Sequence, residues 1–168
     1  GEDEVNEQMQ YWFATMLRGE QSQLDFVVQP IKPFRAPLDV AGVLWGGNLA
    51  MVCSLLATPY FPKIEGGILF LEDVSEHPYR IERMLTQLHM AGVLDKQKAI
   101  LLGDFTDFRT TAADRGYGLN SVWKWLAKHT IAPVFSGFPY GHVPRKATLP
   151  IGAGVRLQIK DSQAVLKF

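Results

Sequence analysis

Gly66-Gly67-Ile68-Leu69-Phe70-Leu71-Glu72-Asp73-Val74 is the stretch on which the fold turns. An unbroken apolar run that follows a Gly-Gly pair and stops at two carboxylates reads as a strand buried on both faces. Such strands stand at the centre of α/β sheets. Open α/β sheets place their ligands at the C-terminal ends of these strands. A helix is expected next, because Pro78 suits a first helical turn and Ile81, Met84, Leu85 and Leu88 recur at spacings of three and four. Glu72 and Asp73 are therefore expected at a strand-to-helix turn. A carboxylate there either takes part in chemistry or serves structure, and Glu72 could equally cap the following helix or pair with Arg80 or Arg83.

Downstream, Ala99-Ile100-Leu101-Leu102-Gly103-Asp104-Phe105 repeats the pattern, a second buried strand that ends near an acid. Residues 106–118 are polar and glycine-bearing, a surface loop of a length that is often functional. Ser121–His129 suggests a helix with Val122, Trp125 and Leu126 on one face, and Pro133–Ser136 a short strand. Near the end the period changes. Val155-Arg156-Leu157-Gln158-Ile159 alternates, Asp161-Ser162 can turn, and Ala164-Val165-Leu166 returns, which is an antiparallel hairpin with one wet face.

Upstream, Val40–Leu44 is expected as a strand, Trp45-Gly46-Gly47-Asn48 as a turn, and Leu49–Ala57 as a short buried helix. Gly46 and Gly47 allow positive φ or close approach of another backbone, and a Gly-Gly-Asn turn opening a helix could offer backbone N–H donors to an anionic group. Residues 3–18 carry Val5, Met9, Trp12, Phe13, Met16 and Leu17 at helical spacing. Glu2, Asp3 and Glu4 lie at the positive end of that helix dipole and Gly19 stands where a C-terminal cap belongs. A strand is plausible at Leu24–Val28. Pro30, Pro33 and Pro37 then enforce an extended linker or crossing, where a domain boundary is placed. Strand–helix alternation followed by a hairpin implies an α/β domain with a mixed sheet and flanking helices.

Seventeen basic side chains balance seventeen acidic ones, which removes the main electrostatic reason to expect nucleic acid or an anionic membrane as partner. No stretch approaches the ~20 apolar residues of a membrane span. Cys53 is the only cysteine, so there is neither an intrachain disulfide nor a cysteine-based zinc site. Its apolar surroundings assign it the role of a small buried hydrophobe.

Of the four histidines, His77, His89 and His129 fall in or beside helices, as capping or surface residues. His142 differs: it follows a short buried strand in the loop Tyr140-Gly141-His142, the kind of rigidly mounted loop on which catalytic residues concentrate. Glu72 and His142 together would make two-thirds of a triad, the carboxylate fixing the imidazole tautomer and stabilising the imidazolium formed during acyl transfer. The nucleophile is missing. Ser54 and Ser121 fall in apolar helical runs, Ser22, Ser75 and Ser162 in polar turns, and Ser136 has no Gly-x-Ser-x-Gly elbow around it. A metal reading of Glu72, Asp73, Asp104 and His142 lacks recognisable ligand spacing.

Trp45-Gly46-Gly47-Asn48-Leu49, Gly67-Ile68-Leu69-Phe70-Leu71-Glu72-Asp73, Pro78-Tyr79-Arg80-Ile81-Glu82-Arg83-Met84-Leu85 and Gly141-His142, in that order, resemble the C-terminal half of bacterial LD-carboxypeptidases, the muramoyltetrapeptide carboxypeptidases of peptidoglycan recycling. The resemblance runs from about Trp45 onward. It implies a swivelling β/β/α-like domain at 37–168, with residues 1–36 as helix and linker from a preceding N-terminal domain. It also implies a Ser–Glu–His triad that cuts the L,D-amide bond and releases the terminal D-alanine of the tetrapeptide stem.

The Glu of the Leu-Glu-Asp motif matches Glu72 and the His of the Gly-His motif matches His142. The nucleophilic Ser and its oxyanion hole belong to the N-terminal domain of that family, so this chain alone is expected to be inactive. Gly46, Gly47 and Asn48 are expected to line the substrate cleft. No cofactor is implied. The resemblance further implies a muropeptide substrate, a homodimer and a cytoplasmic location, a periplasmic one staying open. A related branch hydrolyses peptidyl-nucleotide antibiotics. The alternative from another class is a non-catalytic domain that binds a muropeptide or a partner.

Overall fold

The computed structural model describes residues 6–168. The elements along the chain are α1 (Glu7–Leu17), β1 (Gln23–Val27), β2 (Gln29–Pro30), β3 (Leu38–Asn48) and α2 (Leu49–Ser54). Then come β4 (Ile68–Val74), α3 (Pro78–Met90), β5 (Ala99–Thr106), α4 (Leu119–His129), β6 (Val134–Ser136), β7 (Gly154–Lys160) and β8 (Gln163–Lys167). Glu2, Asp3, Glu4 and Val5 of the first expected helix lie outside the described residues.

The strands form one mixed sheet in the order β1-β8-β7-β3-β4-β5-β6-β2. β4 stands inside it, parallel to β3 on one side and β5 on the other, and Ile68, Leu69, Phe70 and Leu71 are fully buried. Its side chains alternate between two cores, as the period of two demands. Leu69 and Leu71 pack under α3 and α4 with Ile81, Leu85, Leu88, Val122 and Leu126. Ile68 and Phe70 join Leu24, Phe26, Phe135, Phe138, Leu157 and Leu166 on the other face. That second core lies inside a curl of the sheet. β1 and β2 occupy opposite ends of the strand order, yet Val28 alone separates them in sequence, so the two edges must come together. Val28 is buried at that junction, and its N–H donates to the Ser162 carbonyl, carrying the β1–β8 pairing one residue further.

Two local expectations give way. β3 does not stop at Leu44 to make a turn at Trp45–Asn48; it continues to Asn48. Its first half pairs antiparallel with β7 and its second half parallel with β4, from Leu44 opposite Ile68 to Asn48 opposite Glu72. Gly46 serves that pairing. A Cβ on Gly46 would lie 1.9 Å from the Phe70 carbonyl oxygen, and its φ of 127° is one that L side chains rarely adopt. α2 ends at Ser54 and not at Ala57, which itself has a positive φ of 63°.

The Pro-rich segment connects two parts of one sheet, because β1 pairs with β8 and β2 with β6. The expected hairpin is present: Asp161 and Ser162 both take positive φ between β7 and β8, the conformation a two-residue hairpin loop needs. Among the described residues no helix is long and apolar enough to cross a membrane.

Candidate active site

Glu72 owes its aim to an irregularity in the sheet. Leu71 pairs with Leu102 but Asp73 pairs with Phe105, so two residues of β5, Gly103 and Asp104, stand opposite Glu72 alone. A bulge of this kind bends a strand and re-aims a side chain. Glu72 is 3% exposed, and its Oε2 lies 2.9 Å from Nδ1 of His142. A carboxylate only accepts, so Nδ1 carries the donated proton and Nε2 is left as the basic atom. The His142 side chain is 54% exposed, so the ring stands with its inner nitrogen on a buried acid and its outer edge toward solvent.

The loop that carries His142 is built onto β5. After β6 the chain stays beside β5: the Phe138 N–H donates to the Leu102 carbonyl and the Asp104 N–H to the Tyr140 carbonyl, at 3.1 and 2.9 Å. Gly141 then turns the chain with a φ of 146°. Burial and the nearby Glu72 charge push the carboxyl of Asp104 above the usual carboxylate range, and the same two causes raise the Tyr140 hydroxyl.

The structural alternatives for Glu72 are taken by other groups. α3 is capped by His77, whose Nδ1 accepts from the Tyr79 N–H, and Arg80 pairs with Glu76 at 3.7 Å. Asp73 has a different task from its neighbour. It is buried; its Oδ2 accepts from the Ala50 N–H, and its Oδ1 accepts from the Asn48 amide and from the Val74 N–H. Asn48 in turn accepts from the Met51 N–H. The donors at the start of α2, expected to be available to an anionic group, are thus occupied by the chain's own Asp73 and Asn48. Gly47 meets open space, with nothing within 4 Å of where its Cβ would be.

The remaining candidates separate cleanly. His77 also faces Asp114 at 3.3 Å and His129 donates from Nδ1 to the Trp125 carbonyl, both structural roles as expected. Burial pushes the Cys53 thiol up to about 12, and its S–H points at the Met84 carbonyl, which makes it inert at neutral pH. Ser54 donates to the Met51 carbonyl and Ser136 to the Gln29 carbonyl. Among the described residues, the bond to Glu72 is the one hydrogen bond of the His142 ring, and no three His, Cys, Asp or Glu side chains converge as a metal site. The loop 106–118 is pinned to α3 by the His77–Asp114 pair and by the Tyr117 hydroxyl donating to Glu82 at 2.7 Å. Sequence reasoning missed the β5 bulge and the seat it makes for residues 138–142. The one available signal was a glycine, Gly103, inside an otherwise buried strand.

A sequence profile of the LD-carboxypeptidase C-terminal domain matches residues 41–157. The chain belongs to the LD-carboxypeptidase family. A probable murein peptide carboxypeptidase of Bacillus subtilis is 34% identical over 131 residues, which are 78% of this chain and 41% of that protein. The Escherichia coli microcin C7 self-immunity protein MccF is 32% identical over 123 residues, 73% of this chain and 35% of its own length. The crystal structure of muramoyltetrapeptide carboxypeptidase from Oxalobacter formigenes superimposes with a TM-score of 0.88 at 40% identity, over 97% of this chain and 55% of that one. This LD-carboxypeptidase domain spans about two-fifths of the length of the curated relatives it matches.

Proposed function

We propose that this chain is the base-carrying half of a serine-type LD-carboxypeptidase that releases the terminal D-alanine of the murein tetrapeptide stem. The observation that carries the reading is the Glu72–His142 hydrogen bond of 2.9 Å, buried at the acid and open at the imidazole, at the C-terminal end of the central strand. In this reading Nε2 of His142 takes the proton of an attacking serine hydroxyl and later gives it to the departing D-alanine amine. Glu72 holds the ring in the competent tautomer and stabilises the imidazolium. The serine and the oxyanion donors come from an N-terminal domain, a view supported by relatives more than twice as long as their match to this chain. Gly47, facing open space, lines the substrate side together with Gly46 and Asn48. The reaction so written calls for no cofactor. The enzyme works as a homodimer in the cytoplasm.

The test is D-alanine release from a muropeptide tetrapeptide. The enzyme containing both halves is expected to be active and to lose about 10⁴-fold or more of kcat in His142→Ala, while this chain alone releases nothing above background. Release by the isolated chain, abolished in Ser136→Ala, would overturn the assignment. The 32% identity to the microcin immunity protein favours one second substrate class, a peptidyl-nucleotide amide, to be run beside the tetrapeptide as a competing substrate.

A further inference from the structure

The His142 loop touches β5 more closely than any side chain would permit. A Cβ on Gly103 would lie 2.2 Å from the Tyr140 carbonyl oxygen, 3.2 Å from its carbon and 3.4 Å from Cβ of Glu72. The obstacle is backbone, so no rotamer change relieves it. From the other side, a Cβ on Gly141 would lie 3.0 Å from Cβ of Asp104 and 3.1 Å from its carbonyl oxygen. Between these two glycines runs the Asp104 N–H to Tyr140 carbonyl bond of 2.9 Å, and His142 follows directly. The backbone of Glu72 does not follow the loop, because it belongs to β4 and is paired there with Asn48 of β3.

We propose that Gly103 and Gly141 are positioning residues for His142: their missing side chains let the loop settle onto the β5 bulge and bring Nδ1 within hydrogen-bond reach of Glu72. Gly103 is the more telling of the two. Its φ lies outside the left-handed region, so alanine is conformationally allowed there and contact with the loop is the whole obstacle. Relief of that contact withdraws the Tyr140 carbonyl by about 1 Å, a displacement of the size that costs about 10²-fold when it misplaces a catalytic group. The activity part of this inference rests on the proposed role of His142; the geometric part does not.

The experiment separates the two. Ring ¹⁵N shifts of His142 in the 168-residue chain, recorded where the imidazole is neutral and assigned by their loss in His142→Ala, report which nitrogen carries the proton. The parent and Gly154→Ala, where a Cβ meets nothing within 4 Å, are expected to show the Nδ1–H form. Gly103→Ala is expected to keep a cooperative urea transition and native far-ultraviolet dichroism while His142 shifts to the Nε2–H form preferred by an unconstrained histidine side chain. In the enzyme containing both halves, the same substitution lowers kcat about 10²-fold with KM within about twofold.

An unchanged Nδ1–H form in folded Gly103→Ala overturns the proposal. Should Gly103→Ala fail to fold, Gly141→Ala decides by the same readout, and failure of both to fold also overturns it, in favour of a purely structural role. A parent enzyme whose activity survives His142→Ala, combined with the expected tautomer change in Gly103→Ala, would sink the catalytic reading and leave the positioning intact.

Discussion

The carboxylate of Glu72 is held out of water with His142 as its recorded hydrogen-bond partner, and that isolation is what makes it useful. Glu72→Gln keeps the shape but presents an N–H₂ or a weaker acceptor to Nδ1, so the ring is no longer held in one tautomer. In the enzyme containing both halves, kcat is expected to fall by about 10⁴-fold with little change in KM, the scale seen when the orienting acid of a serine-protease triad is made an amide. The same change removes a buried charge and its desolvation cost, so the melting temperature should not fall. A drop in stability that accounts for the lost activity would refute the orienting role. Asp104 allows a second test. Asp104 is largely exposed, yet partial desolvation and then Glu72 push its carboxyl above the ordinary range, so its charged form is disfavoured in the folded chain by an amount that solvent screening keeps small. An acid shifted this way costs nothing when protonated in both states, and the cost appears as pH rises from its ordinary value through the raised one. Asp104→Asn is neutral throughout, so its melting-temperature advantage over the parent should be larger at about pH 7 than at about pH 3. A constant gap would mean that Asp104 carries no such penalty.

Among the elements, β3 and β4 divide the glycines and acids between structure and site. Gly46 and Gly47 share a similar backbone, with φ of 127° and 132°, but only Gly46 has a neighbour in the way, the Phe70 carbonyl. Both alanine substitutions carry about 1–3 kcal/mol of backbone strain. Gly46→Ala must also pry β3 from β4, so urea denaturation should show it less stable than Gly47→Ala by at least about 2 kcal/mol. Equal losses would mean that strain alone matters. Asp73→Ala strips acceptors from the part-buried start of α2 and should lower stability in urea by about 1–3 kcal/mol, the scale of a lost helix cap or an unsatisfied donor.

These elements also mark what the sequence made legible. The apolar run Ile68–Leu71 reads as a central strand because burial on both faces leaves no polar interruption, and the hairpin reads because Val155–Ile159 alternates. The Gly-Gly pair misleads, since glycine serves a turn and a close strand contact equally well. That Glu72 meets His142, 70 residues away, follows from no spacing in the chain. The strand-end position of Glu72 and the loop position of His142 suggest the pair and the resemblance reinforces it, but the bulge and glycine contacts that produce it depend on strand register, which one sequence does not display.

At the scale of the molecule, the sheet closes on itself through the first third of the chain. The Pro-rich stretch invites a cut before Pro37, yet β1 and β2 lie on the far side of that cut, and β1 with the junction residue Val28 lines the inner core. Leu24, Phe26 and Val28 are 5%, 8% and 1% exposed, β1 pairs with β8 along Gln23–Val27, and β2 pairs with β6. Burying one such side chain contributes about 1.5–3 kcal/mol, so these three supply about 4–9 kcal/mol. A whole domain is stable by about 5–15 kcal/mol. Removing residues 1–36 also leaves β8 with a bare edge and opens the core around Phe135, Phe138 and Leu166, an invitation to edge-to-edge association. A chain of residues 37–168 is therefore expected to lack a cooperative urea transition and to self-associate in sedimentation. A monomeric 37–168 with a midpoint close to that of the 168-residue chain would show that the sheet needs neither edge strand to hold its core.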